Sequence, residues 1–381
     1  MKFDYIVVGA GFAGATIAER IANQLDKKVL VIEKRDHIGG NAYDFRTEEG
    51  IIVHKYGPHI FHTKYKEVWE YVSRFTDWIP YVHKVLAYID GKKVPLPFNF
   101  RSIDMLFSEK VATKFKDKLV KNFGYGRKVP ILELRKTGDP DLRSLADFIY
   151  DKVFLNYTIK QWGVKPEELD PSVTARVPVS VSYDDRYFDD PFQGIPKEGY
   201  SKIFERMLKN NENVFIELNV DCKEVLEITE EGILFDGKTF KGTLIYTGPI
   251  DYLFDYRFGR LPYRTLDFEF EKLEQEYYQE RAVVNYPNDF DYTRITEYKH
   301  FNEVKVEKTI IAKEFPRECS QEDEPYYPFL SRKYMEIYKR YELLADKIEN
   351  LILLGRLAEY RYYDMDDIVK RALKVFKERI K

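Results

Sequence analysis

A glycine-rich turn near the start of the chain combines the residue types that bind a dinucleotide. An apolar strand pattern over residues 5–8 leads into Gly-Ala-Gly-Phe-Ala-Gly at residues 9–14, and a helical pattern follows. Gly9 permits a tight turn, Gly11 lets the backbone approach a pyrophosphate, and Gly14 lets the helix pack closely on the strand. Because the helix N-terminus then faces the phosphates, the pattern predicts a dinucleotide-binding βαβ unit.

An acidic residue and a second glycine pair follow at the spacing of such a unit. The apolar pattern of residues 28–32 ends at Glu33, whose carboxylate can accept hydrogen bonds from the hydroxyls of an adenosine ribose. The next polar turn contains Gly39, Gly40 and Asn41, and its glycines allow a second close approach of backbone to ligand. The alternative interpretation is a glycine turn between strand and helix without a ligand.

Three of the six histidines, His54, His59 and His62, lie within nine positions. Such a group could hold zinc, could serve as structural histidines, or could face a cofactor. No thiolate or acidic ligand joins the three, and Gly57-Pro58 breaks any helix that would present two of them together. We therefore expect no metal site, and we favour a cofactor-facing position over a structural role.

Composition argues against several classes of function. With 381 residues the chain exceeds one ordinary core, so two or three structural units are expected. The 61 basic and 64 acidic residues nearly cancel and no basic block occurs, so nucleic acid is not an expected partner. The two cysteines, Cys222 and Cys319, are too few for a disulfide framework. No apolar run is long enough to span a membrane and no signal-peptide pattern precedes the first strand, which favours a cytoplasmic location.

Two regions carry strand patterns beyond the opening unit. Residues 82–89 and 93–96, joined by Asp90-Gly91, predict a β-hairpin with a type I′ turn. Short alternating segments over residues 266–315 predict an antiparallel sheet.

Helical patterns and a late strand complete the prediction. Apolar residues recur at helical spacing over residues 102–123 and 144–157, which we interpret as a small helical insertion. Residues 350–354 then form a strand pattern that leads into Gly355, like the opening of the chain. Both ends of the chain are therefore expected to close one nucleotide-binding domain.

Five motifs occur along the chain in a fixed order. They are Gly-x-Gly-x-x-Gly at 9–14, Ile-Gly-Gly-Asn at 38–41, Gly-Pro-His-x-Phe-His-Thr at 57–63, Asn-Tyr-Thr-x-Lys-Gln-Trp-Gly at 156–163 and Gly-Arg-Leu-Ala-Glu-Tyr-Arg-Tyr-x-Asp-Met at 355–365. In these motifs the chain resembles the bacterial UDP-galactopyranose mutases. The last two motifs are far more specific than the glycine fingerprint, and the resemblance extends from residue 6 to residue 365.

The resemblance implies an α/β fold: a discontinuous, Rossmann-like FAD-binding domain with an inserted helical domain and an antiparallel β-sheet domain. The expected boundaries are 1–78, 195–250 and 345–381 for the FAD-binding domain, 99–165 for the helical domain, and 79–98, 166–194 and 251–344 for the antiparallel-sheet substrate domain.

The resemblance also implies an isomerase that interconverts UDP-galactopyranose and UDP-galactofuranose, a step in cell-surface polysaccharide biosynthesis. In that family reduced, noncovalently bound FAD attacks the anomeric carbon through N5, UDP leaves, and the sugar recloses as the other ring without net redox change. The implied partners are the two UDP-sugars, a flavin reductant such as NAD(P)H, and a second copy of the chain in a homodimer.

Site residues follow from the positions that match the family motifs. Arg176 and Arg294 match arginines that contact the diphosphate, and a guanidinium fork suits phosphate oxygens. His59 matches a histidine beside the flavin, and these three residues are expected to take part in the reaction. The other substrate-binding positions implied are Phe154, Tyr157, Thr158, Trp162, Tyr187, Tyr327 and Tyr362.

The same matches give the expected FAD-binding residues. Those at the adenosine and pyrophosphate end are Gly9, Gly11, Phe12, Ala13, Gly14, Glu33, Lys34, Gly40 and Asn41. Those near the flavin ring and ribityl chain are His59, Ile60, Arg356, Tyr362, Asp364 and Met365.

Two other classes share the glycine fingerprint. A flavin oxidase of the amine-oxidase type would carry an apolar substrate channel, against which the two phosphate-matched arginines argue. A non-catalytic escort protein with the same nucleotide-binding fold would be expected to lose the motif at residues 355–365, which is intact here.

Overall fold

The computed structural model describes residues 2–168, 178–229 and 232–381. Helices in these ranges, numbered in chain order, are α1 (Phe12–Leu25), α2 (Lys66–Val72), α3 (Phe100–Leu106), α4 (Glu109–Phe123), α5 (Ile131–Leu134), α6 (Pro140–Ile149), α7 (Asn156–Trp162), α8 (Tyr200–Leu208), α9 (Cys222–Val225), α10 (Ile250–Leu253), α11 (Arg332–Ala345) and α12 (Met365–Val375). The strands are β1 (Tyr5–Val8), β2 (Val29–Glu33), β3 (Asp44–Arg46), β4 (Ile52–His54), β5 (Phe61–Thr63), β6 (Trp78–Pro80), β7 (Val85–Ile89), β8 (Lys92–Leu96), β9 (Lys128–Val129), β10 (Val179–Ser180), β11 (Phe192–Pro196), β12 (Val214–Leu218), β13 (Leu226–Thr229), β14 (Gly232–Phe235), β15 (Lys238–Thr239), β16 (Thr243–Tyr246), β17 (Tyr263–Leu273), β18 (Val283–Asn285), β19 (Arg294–Glu297), β20 (Thr309–Glu318), β21 (Tyr327–Pro328) and β22 (Leu351–Leu353).

A parallel sheet is built from both ends of the chain. Its strand order is β12-β2-β1-β16-β22, and each neighbouring pair is parallel. Alternate residues of β1 face opposite sides: Val7 packs with α1, α8 and α12, whereas Ile6 and Val8 pack with residues of α10 and α11. A sheet buried on both faces requires apolar residues at successive positions, as these strands have. The predicted α/β class and the return of the C-terminal strand to the opening unit are confirmed.

A second, larger sheet has the order β21-β17-β20-β19-β18-β7-β8. The predicted hairpin is its β7–β8 edge, and Asp90 and Gly91 both have positive φ, 47° and 81°, as a type I′ turn requires. The predicted antiparallel sheet is confirmed with one exception, because β18 pairs with β7 in parallel. That pairing joins segments almost 200 residues apart, and strand direction across such a separation leaves no local signal in the sequence.

The helical insertion is more divided than its sequence pattern predicts. Helix α3 ends at Leu106, and the extended backbone of Phe107 and Ser108 separates it from α4. A π-helical turn over Tyr150–Leu155 connects α6 to α7, and such turns are often found at functional sites. No helix in the described parts of the chain is both long and apolar enough to cross a membrane.

Candidate active site

Glycines close the phosphate end of the site at the carboxyl edge of the parallel sheet. Gly9 follows β1 with a φ of 97°, and α1 begins directly after Gly11. A Cβ on Gly14 would lie 1.9 Å from the Gly9 carbonyl oxygen, and a Cβ on Gly40 would lie 2.9 Å from the Gly11 Cα. These positions therefore exclude any larger residue and leave exposed backbone at the N-terminus of α1, which suits a phosphate.

The acidic residue at the end of β2 is held by backbone groups. The Glu33 carboxylate is buried and accepts from the Ala10 N–H at 2.9 Å and from the Arg35 N–H at 3.1 Å. Two bonds leave acceptor capacity on both oxygens. The Lys34 ammonium lies 2.9 Å from Glu324, and Arg35 donates to Asn41 and to Glu324 at 2.8 Å each. The structure thus brings the predicted adenosine-end residues together.

Phe12 and Ala13 lie at the start of α1 among these residues. The Phe12 ring packs 4.7 Å from the ring of Phe204, inside the core. Only the backbone of Phe12 is therefore available to a ligand.

A cavity of about 170 Å³ opens between the two sheets. Nine residues predicted from the sequence line it: His59, Ile60, Tyr187, Arg294, Tyr327, Arg356, Tyr362, Asp364 and Met365. Pro58 and His62 of the motif at residues 57–63 also line the cavity, and His62 is one of the clustered histidines expected to face a cofactor. The lining that the motif matches missed consists of His83, Val85, Phe188, Val283 and Asn285.

One row of residues crosses the larger sheet at the floor of the cavity, and two of its members, Asn285 and Arg294, line that floor. Asn285, Arg294 and Glu314 lie directly opposite one another on β18, β19 and β20. Strand alternation sets all three on the face that also carries Val283 and Ala312 toward the larger core. The Arg294 guanidinium lies 2.9 Å from the Glu314 carboxylate in an ion pair.

Arg294 stays charged although it is partly buried. Burial lowers the pKa of its guanidinium, but Glu314, Tyr157 and Tyr327 raise that pKa by more, so the net shift is well above the ordinary value. A cation is thereby fixed in the wall of the cavity.

His59 and His83 are neutral imidazoles in this wall. Burial, with smaller contributions from Arg356 and Arg294, lowers the pKa of His59 to about 4, although its bond to the Gly57 carbonyl opposes the shift. Because His59 Nδ1 lies 2.8 Å from that carbonyl, Nδ1 carries the proton and Nε2 is an acceptor. Burial and Arg294 lower the pKa of His83 to about 3, and its Nδ1 is buried without a partner among the described residues.

The other two clustered histidines have protein partners. His54 is buried, stacks on Phe301, and its Nδ1 accepts from the His59 backbone N–H at 2.9 Å. His62 lines the cavity, stacks on Phe188 and contacts Asp190 through Nδ1 at 2.7 Å. Within residues 2–168, 178–229 and 232–381 no group of three His, Cys, Asp or Glu side chains is placed to hold a metal ion.

Aromatic rings and Arg356 form the opposite wall. The rings of Tyr327 and Tyr362 stack with centroids 5.4 Å apart, and the Arg356 guanidinium lies 5.1 Å and 5.4 Å from those centroids. Arg356 also donates to the carbonyls of Tyr326 at 3.2 Å and Tyr363 at 3.0 Å. Its hydrogen-bonding capacity is largely committed to the fold.

Helix α7 lies at the edge of this wall. The Trp162 ring is 6.1 Å from that of Tyr327 and 6.2 Å from that of Tyr362. Burial raises the pKa of Tyr157, while Arg294 opposes the shift. Thr158 is buried beside them, and Phe154 is packed into the core before α7.

Arg176, the other predicted diphosphate ligand, lies outside the described residues.

Some of the missed residues leave a signal in the sequence. In β20, Ile310 and Ala312 face the larger core and Ile311 packs on the opposite face, so the next residue on the face of the larger core is the charged Glu314. Asn285 similarly ends the apolar run of β18 on the core face. A charged or amide side chain at a core-facing strand position indicates a buried partner or a ligand. His83 precedes β7 and has no such pattern around it.

Comparison with known proteins gives the family. Residues 152–362 match the UDP-galactopyranose mutase family, and residues 7–75 match an NAD(P)-binding Rossmann-like domain. The chain is 40% identical to a protein named "Probable UDP-galactopyranose mutase" from Klebsiella pneumoniae, over 98% of this chain and 94% of that protein. This chain belongs to the UDP-galactopyranose mutase family. The resemblance seen in its motifs is confirmed, and as a family member it is an enzyme of the mutase, or isomerase, type.

Two further relatives bear on substrate and fold. The chain is 39% identical to the dTDP-fucopyranose mutase of Escherichia coli, over 97% of this chain and 96% of that protein. A crystal structure of reduced UDP-galactopyranose mutase superposes with a TM-score of 0.71 at 15% identity, covering 99% of this chain and 93% of that one. That structural likeness supports the mutase fold.

Proposed function

We propose that this family member interconverts UDP-galactopyranose and UDP-galactofuranose with a reduced flavin and without net redox change. The observation that carries the proposal is the cavity in which Arg294 and Arg356 face the same space as Tyr187, Tyr327 and Tyr362. Arg294 is a fixed cation beside these phenolic groups, which suits the diphosphate of a nucleotide-sugar, and an amine-oxidase channel would not need it.

The cofactor we propose is FAD, bound noncovalently along the edge of the parallel sheet. The fit rests on the glycine cradle: a Cβ at Gly14 would strike the Gly9 carbonyl oxygen and one at Gly40 would strike the backbone of Gly11, so only glycines let these segments meet at the N-terminus of α1. Glu33 and Asn41 would hold the adenosine end, and the cavity wall at His59 and Met365 would meet the flavin end. When bound and reduced, the flavin supplies the nucleophile for the anomeric carbon and the protein supplies binding and orientation.

The roles proposed for the cavity residues follow from their charge and partners. Arg294, with Tyr187 and Tyr327, binds the diphosphate and stabilises the negative charge that develops as UDP leaves. His59 presents its Nε2 as a hydrogen-bond acceptor, because Nδ1 is committed to the Gly57 carbonyl. The aromatic walls exclude water from the reacting sugar.

The uridine position is a proposal from the family motif on α7. The residues proposed to contact the uridine are Phe154, Tyr157, Thr158 and Trp162. The Trp162 ring contacts those of Tyr327 and Tyr362, so α7 lies next to the cavity wall that these two tyrosines form. Arg176 is proposed as a second diphosphate ligand on the motif match alone.

The wider setting is also proposed from the family. We propose the domain boundaries given above, a homodimer, a cytoplasmic location, a reductant such as NAD(P)H, and a place in cell-surface polysaccharide synthesis. These proposals are independent of the cavity geometry.

A second candidate substrate is a dTDP-linked 6-deoxyhexose. The identities to the Klebsiella protein and to the dTDP-fucopyranose mutase differ by one percentage point. Thymine differs from uracil by one methyl group, and fucose lacks the 6-hydroxyl of galactose, so the choice depends on few contacts.

In the test, the purified protein is reduced with dithionite and incubated with UDP-galactofuranose or with dTDP-fucopyranose in separate reactions. The oxidised protein is the control. We expect FAD absorbance and conversion of UDP-galactofuranose to UDP-galactopyranose only after reduction. A higher kcat/KM for dTDP-fucopyranose than for UDP-galactofuranose would identify the dTDP-linked sugar as the substrate. Flavin without turnover of either sugar would reject both.

A further inference from the structure

We propose that Glu314 is a positioning residue: it fixes the Arg294 guanidinium for the diphosphate, and its negative charge weakens the binding of UDP. The inference rests on the proposed function, because it assigns Arg294 to a diphosphate. Glu314 is outside the motifs and does not line the cavity.

The pairing of the two residues is set by the sheet. Arg294 on β19 and Glu314 on β20 are direct cross-strand partners, and their charged groups are 2.9 Å apart. The Thr293 N–H donates to the Glu314 carbonyl at 2.8 Å, which fixes the backbone of both strands at this point. The Arg294 side chain is 23% exposed toward the cavity, whereas that of Glu314 is 2% exposed behind it.

The carboxylate lacks the partners that a buried charge normally has. Apart from the Arg294 guanidinium, no residue that the structure describes donates to either Glu314 oxygen, and the buried Tyr298 hydroxyl has no partner there. A structural carboxylate in a core is usually bonded by several donors, as Glu297 is by the N–H groups of Tyr278 and Gln279. Glu314 therefore has one evident partner, the guanidinium of Arg294.

The surrounding residues hold the carboxylate in place. Phe268 lies directly opposite Glu314 on β17, and a Cβ on Gly57 would lie 3.6 Å from Glu314 Oε2. A side chain at residue 57 would therefore reach the carboxylate, and the glycine leaves it room. Confinement by a ring and a glycine turn restricts Glu314 to the position beside Arg294.

Charge and position have opposite effects on the reaction. The negative charge repels an incoming diphosphate and so weakens ground-state binding. The same group keeps the guanidinium in one orientation, and a preorganised cation stabilises the charge that develops on the leaving group without reorganising. Removing the charge should therefore tighten UDP binding while it slows turnover.

The test compares Glu314→Gln, Glu314→Asp and a control, Glu271→Gln. Glu271 is exposed on β17 and pairs with Lys313 of β20 at 3.7 Å, so its replacement removes one charge from the same sheet at the surface. The measurements are the Kd of UDP for the oxidised enzyme by calorimetry, and kcat and KM for UDP-galactofuranose under reducing conditions.

For E314Q we expect a three- to tenfold lower UDP Kd together with at least a tenfold lower kcat. E314D keeps the charge and withdraws it by one methylene, so its UDP Kd should stay within twofold of wild type while kcat falls at least tenfold. E271Q should change neither quantity by more than twofold.

The inference is overturned if E314Q weakens UDP binding, as a merely structural residue would, or leaves kcat unchanged. If E314Q does not fold, the test rests on E314D. An unchanged kcat in E314D would overturn the positioning role. Failure of the wild-type enzyme itself to bind UDP would instead reject the proposed function, so the two failures are distinguishable.

Discussion

Among the described residues that line the cavity, Arg294 has the strongest physical case as an anion ligand. Arg356 lines the same cavity, but its guanidinium donates to the carbonyls of Tyr326 and Tyr363. Among the described residues Arg294 pairs with one carboxylate, that of Glu314, and its Nε has no partner there. Guanidinium N–H groups that the fold has not used are those a phosphate can take.

Replacing Arg294 by methionine should remove activity and also uncover the cost of a buried charge. We expect kcat/KM to fall by about 100-fold or more, as for other lost charge-stabilising groups. The free energy of unfolding should fall by about 3 kcal/mol, because Glu314 is left buried and unpaired. Steady-state kinetics and urea denaturation measure the two effects.

The double variant R294M/E314Q separates the loss of activity from the loss of stability. It should recover most of the lost stability without recovering activity, because the unpaired charge is gone and the cation is still missing. Arg281→Met, at an exposed position whose guanidinium contacts a neighbouring carbonyl, is the control for loss of one arginine. Full activity in R294M would exclude Arg294 from diphosphate binding.

At the scale of elements, the contact between α1 and β1 decides whether the cofactor can bind. Gly14→Ala would set a Cβ 1.9 Å from the Gly9 carbonyl oxygen, which is backbone and cannot rotate away. We expect α1 to shift, with a loss of about 1–3 kcal/mol in stability, and FAD content per chain to fall several-fold in the visible spectrum. Gly138→Ala, where the added Cβ meets nothing within 4 Å, is the control. A fully flavin-loaded G14A protein would contradict the proposed cradle.

Lys160 ties helix α7 to the loop before β19, and at the start of the helix Asn156 Nδ2 donates to Asn288 Oδ1 of the same loop at 2.8 Å. Lys160 Nζ donates to the carbonyls of Tyr286 at 2.6 Å, Phe290 at 3.0 Å and Tyr292 at 3.1 Å. Burial lowers the Lys160 pKa to about 8, and Asp291 and Asp289 oppose that shift. The lysine thus couples the proposed uridine helix to the strand that begins with Arg294.

Lys160→Met should loosen this connection. We expect KM for the UDP-sugar to rise about tenfold and unfolding free energy to fall by about 2 kcal/mol, since one charged donor serves three carbonyls. Lys165→Met, on an exposed lysine five residues later, should alter neither. An unchanged KM in K160M would show that the two elements hold their positions without the lysine.

These elements also show what a sequence reveals and what it does not. The β1–α1–β2 unit and the β7–β8 hairpin were predictable because their glycines and alternation act over a few residues. The parallel pairing of β7 with β18 was not, because it joins distant segments. His83, which has no pattern around it in the sequence, became visible as a cavity residue only when those strands were side by side. The motif matches located most of the cavity wall but gave no reason to choose Glu314.

At the scale of the whole molecule, several buried histidines make stability depend on acidity. Burial lowers the pKa of His54 well below its ordinary value, that of His59 to about 4 and that of His83 to about 3. In the unfolded chain these groups titrate near 6.5. Between about pH 6.5 and 4 the unfolded state therefore binds more protons, so the free energy of unfolding rises with pH across this window and falls on acidification.

The expected result is progressive destabilisation below about pH 6.5, with each histidine contributing up to about 1.4 kcal/mol per pH unit. Burial raises the pKa of Asp44 and Asp251, and proton uptake by these folded-state carboxylates opposes the effect toward the acid end.

Comparing His83→Phe with the wild type isolates the contribution of His83, because the carboxylates are the same in both proteins. The His83 Nδ1 has no partner in the described chain, so an apolar ring loses no bond at that atom. Urea denaturation at several pH values gives the free energy of unfolding as a function of pH. Its slope between about pH 6.5 and 4 should be smaller in H83F than in the wild type by up to about 1.4 kcal/mol per pH unit, the contribution of one histidine. His300→Phe, at a histidine outside the cavity whose Nε2 lies 3.2 Å from Glu297, is the control for the loss of one histidine. Equal slopes for H83F and the wild type would mean that His83 is protonated or exposed at neutral pH, and would remove the neutral imidazole from that wall of the cavity.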